Sequence, residues 1–258
     1  MMPKLIVSMT TWPPRFRSAA IAMKEIVTQR DEEELQDAVH CVLVLSEEEV
    51  CASEHRSEAC RLIDKMEKMG VEVIIDKGNI KSHKKLIPVI EKYPDNAILV
   101  VDDDNRQECG WLREFIEENI RFPNDILYGQ SNSHLAIKGD FIEYTIEYNT
   151  QPGKVTKLAI PASGAAGTLY PAHTFTDEHF FDRKRFMTVC PTSDETWQFA
   201  FGIMAECTYR CLQQRNYPYV IGANQEVALF KTNEDRYEWM HNQLTHIFPE
   251  YLQKLKEL

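Results

Sequence analysis

The 258-residue sequence predicts an α/β protein: a mostly parallel central sheet flanked by helices, followed by a C-terminal half of mixed β structure. Three observations carry this. Short apolar runs alternate with helical periodicities up to residue 121, and strands separated by helices of such length imply right-handed crossovers between parallel neighbours. One run, Ala97-Ile98-Leu99-Val100-Val101, is apolar throughout, as a strand covered on both faces requires. Beyond residue 121 the pattern changes to short strands joined by turns such as Lys138-Gly139-Asp140.

In order, Lys4–Met9 reads as a strand, and Ser18–Arg30 as a helix after Pro13-Pro14. Val39–Leu45 is a second strand, and Glu54–Met69 a helix with Leu62, Met66 and Met69 on one face, stopped by Gly70. Val71–Ile75 is a third strand ending at Asp76; Lys84–Tyr93 is a helix that Pro88 shortens or kinks. The strand Ala97–Val101 and the helix Trp111–Arg121 complete this part. Strands are then expected at Ile126–Gly129, Ser133–Ile137, Phe141–Tyr148 and Lys154–Ile160. A glycine-containing loop from Ser163 to Pro171, a helix Ser193–Gln213, a strand Tyr219–Ile221 and a terminal helix from about Asp235 follow. No repeat or low-complexity linker divides the chain, so one domain over 1–258 is expected.

A hydrophobic share of 43% is ample for a core, and a net charge of −11 argues against broad nucleic-acid binding. No apolar stretch approaches the ~20 residues of a membrane span, and the N-terminal apolar run is too short for a signal peptide. The cysteines at 41, 51, 60, 109, 190, 207 and 211 are odd in number and lack a C-x-x-C. Reduced thiols in a cytoplasmic protein are therefore expected, without structural zinc. The stretch from Tyr237 to Leu258, with Lys254 and Lys256, reads as a core or partner-packing helix; peripheral membrane contact is the alternative.

The apolar strand 97–101 stops in Asp102-Asp103-Asp104-Asn105. On an extended backbone Asp102 and Asp104 point the same way and Asp103 the other. Clustered carboxylates need a compensating cation, and hard oxygen ligands select Mg²⁺ or Mn²⁺, ions commonly shared with substrate phosphates. Ligands of open α/β sheets bind beyond the carboxyl ends of strands, where this cluster falls. The blander reading is that these acids cap a helix starting near Gln107, for which one Asp would suffice.

Other candidates are individually weaker. Thr10-Thr11-Trp12-Pro13-Pro14-Arg15 follows the first strand, and Thr10 and Arg15 could contact a base, ribose or phosphate. Lys81-Ser82-His83-Lys84-Lys85 precedes a helix, and Lys81 and Lys85 suit phosphate, although charge runs are usually solvated faces. Asp76 could accept from a base or ribose edge, or serve as a turn residue. Gly164 and Gly167 would let backbone approach a ligand. Asp194 and Glu195 begin a helix and could supply a general base, although Thr192-x-x-Glu195 also matches a capping box that would engage Glu195 and leave Asp194 freer. Trp197 could line a sugar site or be core, and His241 or His246 could complete a metal shell or be an ordinary core or surface residue.

Taken in order, Val7–Arg15, Leu43–Glu48, Lys81–Tyr93, Ile98–Asp104, Gly164–Pro171 and Cys190–Trp197 resemble bacterial family-2-like glycosyltransferases of the GT-A fold, often linked to surface polysaccharide synthesis. The resemblance implies a nucleotide-binding half at 1–129 and an acceptor-binding half at 130–258. It implies a nucleotide-sugar donor whose diphosphate is bridged by Mn²⁺ or Mg²⁺ to the D-x-D motif, Asp102 to Asp104, with Asp103 beside it. It also places Asp194-Glu195 beside a glycan or lipid-linked acceptor, where a carboxylate would deprotonate a hydroxyl for inverting attack on the anomeric carbon. Two departures stand out: Ala165-Ala166 separate glycines that the family usually keeps consecutive, and the usual paired Asp before Trp becomes Asp194-Glu195 with Thr196 intervening. The alternatives are an Asp-nucleophile phosphohydrolase, although Arg106 stands where such enzymes usually keep Thr or Val, and a non-catalytic nucleotide- or glycan-binding module.

Overall fold

Strand and helix alternate through the first half because the apolar pattern switches between periods of two and 3.6. The computed structural model describes residues 5–146, 153–155, 158–161, 164–213, 218–221, 233 and 235–258. β1 (Leu5–Thr10) leads through a 3-10 turn at Pro13–Arg15 into α1 (Phe16–Glu32). β2 (Val39–Ser46), α2 (Glu47–Cys51), α3 (Arg56–Lys68) and β3 (Glu72–Asp76) follow. The helix expected over 84–93 is split into a 3-10 helix, Lys81–Lys85, and α4 (Ile87–Lys92). Pro88 sits in the first turn of α4, where its missing N–H forfeits no helical bond.

β4 (Ile98–Val101), β5 (Asn105–Arg106), α5 (Trp111–Arg121) and β6 (Ile126–Tyr128) come next. Then come β7 (Ser131–Lys138), β8 (Phe141–Ile146), β9 (Ala159–Pro161) and β10 (Thr168–Tyr170). The chain closes with α6 (Arg183–Val189), α7 (Asp194–Met204), β11 (Tyr209–Cys211), β12 (Tyr219–Val220), α8 (Tyr237–Ile247) and α9 (Pro249–Lys256). Of the expected strands, residues 147–148, 156 and 157 lie outside the described residues, as do Lys4 and Ser163.

The main sheet has seven strands in the order β3-β2-β1-β4-β10-β6-β11. All its pairs are parallel except those of β10, which runs antiparallel to β4 and β6. The sheet crosses the 129/130 division, since β10 and β11 complete it. Side-chain alternation gives it two packed faces. Val7, Met9, Leu43, Leu99 and Leu127 meet α1, α3 and α5, while Ile6, Val42, Val100 and Tyr128 meet α4 and α6–α9. β7 pairs with β8 and β9 in a small antiparallel sheet, and β5 with β12 in a two-stranded ribbon.

One expected helix is corrected. Residues 205–213 do not continue α7: it ends at Met204, Glu206 takes a positive φ of 57°, and Tyr209–Cys211 pairs with β6. The backbone bonds offered by the open edge of β6 override the helical pattern there. The apolar face of α8 and α9 is spent on the core, where Met240, Leu244, Tyr251 and Leu255 are buried. Trp197 is core too, fully buried, with its indole N–H donating to the Phe180 carbonyl at 3.0 Å.

His241 is likewise a core residue: its Nδ1 pairs with the Tyr251 hydroxyl at 2.8 Å, and its buried Nε2 has no partner. Burial pushes its imidazole down to about 3. A His whose folded pKa is depressed stabilises the fold fully above the unfolded value, near 6.5, and progressively less as pH falls towards the folded one. The fold is therefore expected to lose about 1.4 kcal/mol per pH unit below 6.5 through this residue. Urea midpoints at pH 7.5 and 4.5 check this: His241→Phe should shrink the difference between the two.

Candidate active site

The main sheet reverses direction of build between β1 and β4, since β2 and β3 lie to one side of β1 and β4 to the other. Such a switch point opens a crevice at the carboxyl ends of the parallel strands. Asp102, Asp103 and Asp104 follow β4 at that end of the sheet, beside Thr11 and Arg15 from the loop after β1.

Here the strict alternation expected of the three aspartates breaks down. Extended structure ends at Val101, and Asp103 and Asp104 form a turn before β5. Both therefore reach the same cation: Arg15 Nη1 lies 3.0 Å from Asp103 Oδ1 and 3.1 Å from Asp104 Oδ2. The Thr11 hydroxyl donates to Asp103 Oδ2 at 2.7 Å. Burial opposes the Arg15 charge, but Asp103 and Asp104 overcome this and raise its pKa. Burial pushes the Asp103 carboxyl up to about 6 even against that cation. The acids cap no helix near Gln107, because α5 starts only after Gly110.

Asp102 turns the other way. Its Oδ1 accepts from Lys85 Nζ at 2.8 Å, and the same Nζ lies 3.3 Å from Asp194 Oδ2. Lys85 is thus a buried bridge between the end of β4 and the start of α7. Burial opposes its charge, and Asp102 and Asp194 more than restore it, raising its pKa. Its backbone carbonyl accepts from the buried Ser8 hydroxyl at 2.6 Å, which ties it to β1. The basic run is not a solvated face: Lys84 and Lys85 are 1% and 5% exposed, and only Lys81 lies outside. Lys84 pairs instead with Glu49, the acid of the capping box that Ser46 forms at α2.

Behind the aspartates, the backbone N–H of Asp102 donates to the Gly164 carbonyl at 3.0 Å. A Cβ at Gly164 would sit 2.4 Å from both Asp102 N and Asp102 Oδ1, so only glycine permits this approach. Gly167, at φ +85°, packs against Trp111 and Phe115. What these glycines let come close is the chain itself.

At α7, Ser193 rather than Thr192 is the cap: its Oγ accepts from Thr196 N, and Thr192 bonds to Asn233. The capping box expected at Thr192 does not form, so Glu195 is free of it. Its Oε1 accepts from the Tyr237 hydroxyl at 3.0 Å. Burial and the adjacent Asp194 push the Glu195 carboxyl up to about 7. Asp194, 2% exposed, accepts from Gln198 Nε2 at 3.3 Å, and Tyr170 donates to Gln198 Oε1 at 2.7 Å.

The remaining candidates lie apart from this cluster or face away from it. The Thr10 hydroxyl donates to the Val44 carbonyl at 2.7 Å, and Thr11 holds the place beside Asp103. Asp76 accepts from Arg183 Nη1 at 2.8 and 3.0 Å, an arginine the sequence pattern did not single out. Lys81 begins its 3-10 helix at φ +52°, exposed. His241 belongs to the core and His246 is exposed.

Asp102 and Asp104 carry the hard oxygen donors that Mg²⁺ or Mn²⁺ takes, and here each faces a different cation, Asp102 the Lys85 ammonium at 2.8 Å and Asp104 the Arg15 guanidinium at 3.1 Å. Asp102 is raised by burial and further by the charges of Asp104 and Asp194, which Lys85 offsets only in part. Among the described residues no three His, Cys, Asp or Glu side chains are grouped to hold a metal by themselves. A Mg²⁺ or Mn²⁺ ion held by Asp102 and Asp104 would need further oxygens from water or a substrate, the usual way Mg²⁺ sits beside phosphate.

A seven-stranded, mostly parallel sheet flanked by helices, with a carboxylate cluster at its switch point, is a GT-A-like arrangement, the fold of a class of glycosyltransferases. Solved structures of TarS, a glycosyltransferase from S. aureus, share it. TarS 1-349 in complex with UDP superposes with a TM-score of 0.58 at 13% identity, over 85% of this chain and 61% of that one. A longer TarS structure gives 0.59 at 12% identity, over 86% of this chain and 37% of that one. A second structure of TarS 1-349 gives 0.55 at 13% identity, over 99% of this chain and 72% of that one. The chain thus spans less than two thirds of the first two. No protein-family model and no curated protein matches the sequence. No helix among the described residues is long and apolar enough to cross a membrane.

Proposed function

We propose that this chain is a metal-dependent glycosyltransferase moving a sugar from a nucleotide-sugar, a UDP-sugar, to a hydroxyl of a glycan or lipid-linked acceptor with inversion. The observation that carries the reading is a single buried lysine, Lys85, joining an aspartate of the switch-point cluster to the acidic pair at the start of α7. It sets the groups suited to a diphosphate and those suited to proton removal within one side chain's reach of each other. The likeness to TarS solved with UDP supports a uridine nucleotide.

In this reading the diphosphate lies in the crevice beyond β1 and β4, with Asp102 and Asp104 as the divalent-ion ligands. When bound, the ion supplies Lewis-acid stabilisation of the departing nucleoside diphosphate. Arg15 and Thr11 keep the Asp103–Asp104 turn in place, and Gly164 fixes the backbone of Asp102. The acidic pair removes the acceptor proton. The location is read as cytoplasmic, with the acceptor bringing the enzyme to a membrane surface if it is lipid-linked.

A thermal-shift series of UDP- and GDP-sugars with and without Mn²⁺ tests the donor assignment. A ligand at 100 times its Kd adds about 2.7 kcal/mol, which for a chain of this size raises Tm by about 5–10 °C. UDP-sugars with Mn²⁺ are expected to give the larger shift. Slow hydrolysis of the stabilising donor should be abolished by EDTA and by Asp104→Ala; full activity of that variant ends the metal assignment. Robust phosphate release from simple phosphomonoesters would favour the phosphohydrolase alternative instead.

A further inference from the structure

The two carboxylates that open α7 have different surroundings. Asp194 is buried and doubly engaged, 3.3 Å from Lys85 Nζ and 3.3 Å from Gln198 Nε2. Through Lys85 it is tied to Asp102. Glu195 keeps part of its surface open and makes no ion pair among the described residues. Its Oε1 accepts from the Tyr237 hydroxyl at 3.0 Å, and its own backbone N–H also donates to the carboxyl group. A carboxylate offers about four acceptor positions, so Oε2 retains capacity for an incoming hydroxyl.

Tyr237 is built to hold that contact. It is 3% exposed, and its ring stacks on Tyr144 of β8 with centroids 4.8 Å apart and planes 14° from parallel. The stack restricts the ring that carries the hydroxyl.

We propose that Glu195, and not Asp194, takes the proton from the acceptor hydroxyl, with Tyr237 as its positioning residue, while Asp194 acts through Lys85 to fix Asp102. This rests on the transferase reading above. In the step, the acceptor O–H proton passes to Glu195 Oε2 and the acceptor oxygen forms its bond to the anomeric carbon. The bond from that carbon to the diphosphate oxygen breaks, and its electron pair leaves with the nucleoside diphosphate.

The groups facing Glu195 are Asp194 on its own helix, Lys85 from the 3-10 helix, Tyr237 from α8, Tyr170 from β10 and Cys190 before α7. Burial and Asp194 raise its carboxyl; its own backbone N–H, Lys85 and the Tyr237 hydrogen bond lower it, the balance lying at about 7. That value suits a base working near neutrality.

The test uses the full chain with UDP-glucose and UDP-N-acetylglucosamine as donors, water as acceptor and Mn²⁺ present, alongside calorimetric binding of UDP. Glu195→Gln is expected to lower kcat by about 10²–10⁴-fold with UDP affinity kept within about twofold. Glu195→Asp, which keeps a carboxylate, should recover part of the rate and confirm that the site still folds. Tyr237→Phe removes a hydrogen bond that favours the ionised form, so the acid limb of the pH–rate profile should move to higher pH. Carboxyl ¹³C NMR should show a titration near pH 7 that is missing in Glu195→Gln. The assignment is overturned if Glu195→Gln keeps more than a tenth of wild-type kcat, or if Asp194→Asn alone removes the acid limb. A wild-type chain that neither binds UDP nor hydrolyses either donor overturns the transferase reading, and this assignment with it.

Discussion

Lys85→Met is expected to destabilise the fold by about 3–5 kcal/mol at pH 8 and by clearly less at pH 5, the usual cost of stripping a buried charge of its partner. Lys85 Nζ is the cation between Asp102 at 2.8 Å and Asp194 at 3.3 Å, and its side chain is only 6% exposed. Methionine fills the same volume without the charge, so packing changes little and electrostatics dominate. The sign follows from the carboxylates left behind. Asp102 is already raised by burial and by Asp104 and Asp194, and without Lys85 it rises further. A carboxylate whose folded pKa lies above its unfolded value binds more protons when folded, so stability falls as pH rises between the two. Urea titrations of wild type and variant at pH 5 and 8 measure this; an equal loss at both values would refute the bridge as the source. On the proposed transferase function UDP affinity should fall as well, because Asp102 loses the group that orients it.

How much of this was legible in the sequence depends on the range of each interaction. The aspartate cluster was, because an apolar strand ending in carboxylates is a local pattern and β4 ends where the pattern places it. Its side-chain directions were not, because parity carries only as far as the extended backbone, and Asp103 and Asp104 lie in a turn. The basic run 81–85 was visible, but its division was not. Whether a lysine is solvated or buried depends on carboxylates 17 and 35 positions away in the chain, Asp102 for Lys85 and Glu49 for Lys84. Asp76 was noticed at the end of β3, yet its partner Arg183 is 107 residues distant and carries no local signal. Tyr237 was missed for the same reason: it looks like the apolar start of a terminal helix until α8 sets its hydroxyl against Glu195. Ser193 won the cap from Thr192 because Asn233 takes up the threonine, again a long-range competitor. The arrangement of sheet and helices was readable because it rests on periodicity. The pairing inside the site was not, because it is made by chain segments that only the fold brings together.

Gly164→Ala is expected to cost the fold about 1–3 kcal/mol, the range for forcing an extra carbon into a packed site, and, on the proposed transferase function, to weaken UDP binding. The added Cβ would lie 2.4 Å from Asp102 N, 2.4 Å from Asp102 Oδ1 and 2.6 Å from the Val101 carbonyl carbon. Two of these are backbone atoms of the strand end, so no side-chain rotation relieves the clash. Either the loop retreats and the Asp102 N–H loses its 3.0 Å bond to the Gly164 carbonyl, or Asp102 moves. Both outcomes displace the carboxylate that Lys85 orients. Gly164 does not occupy the left-handed region, so alanine adds no conformational strain and the substitution isolates the steric effect. Gly167→Ala makes the contrast, since its φ of +85° and a 2.6 Å approach to the Trp111 ring predict a stability loss centred on α5, away from Asp102. Calorimetric UDP titration and urea unfolding of both variants separate the two effects: Gly164→Ala should lose affinity out of proportion to stability, and Gly167→Ala the reverse. Equal affinity losses would mean that the loop acts as one rigid body and that close packing on Asp102 has no special part in holding the donor.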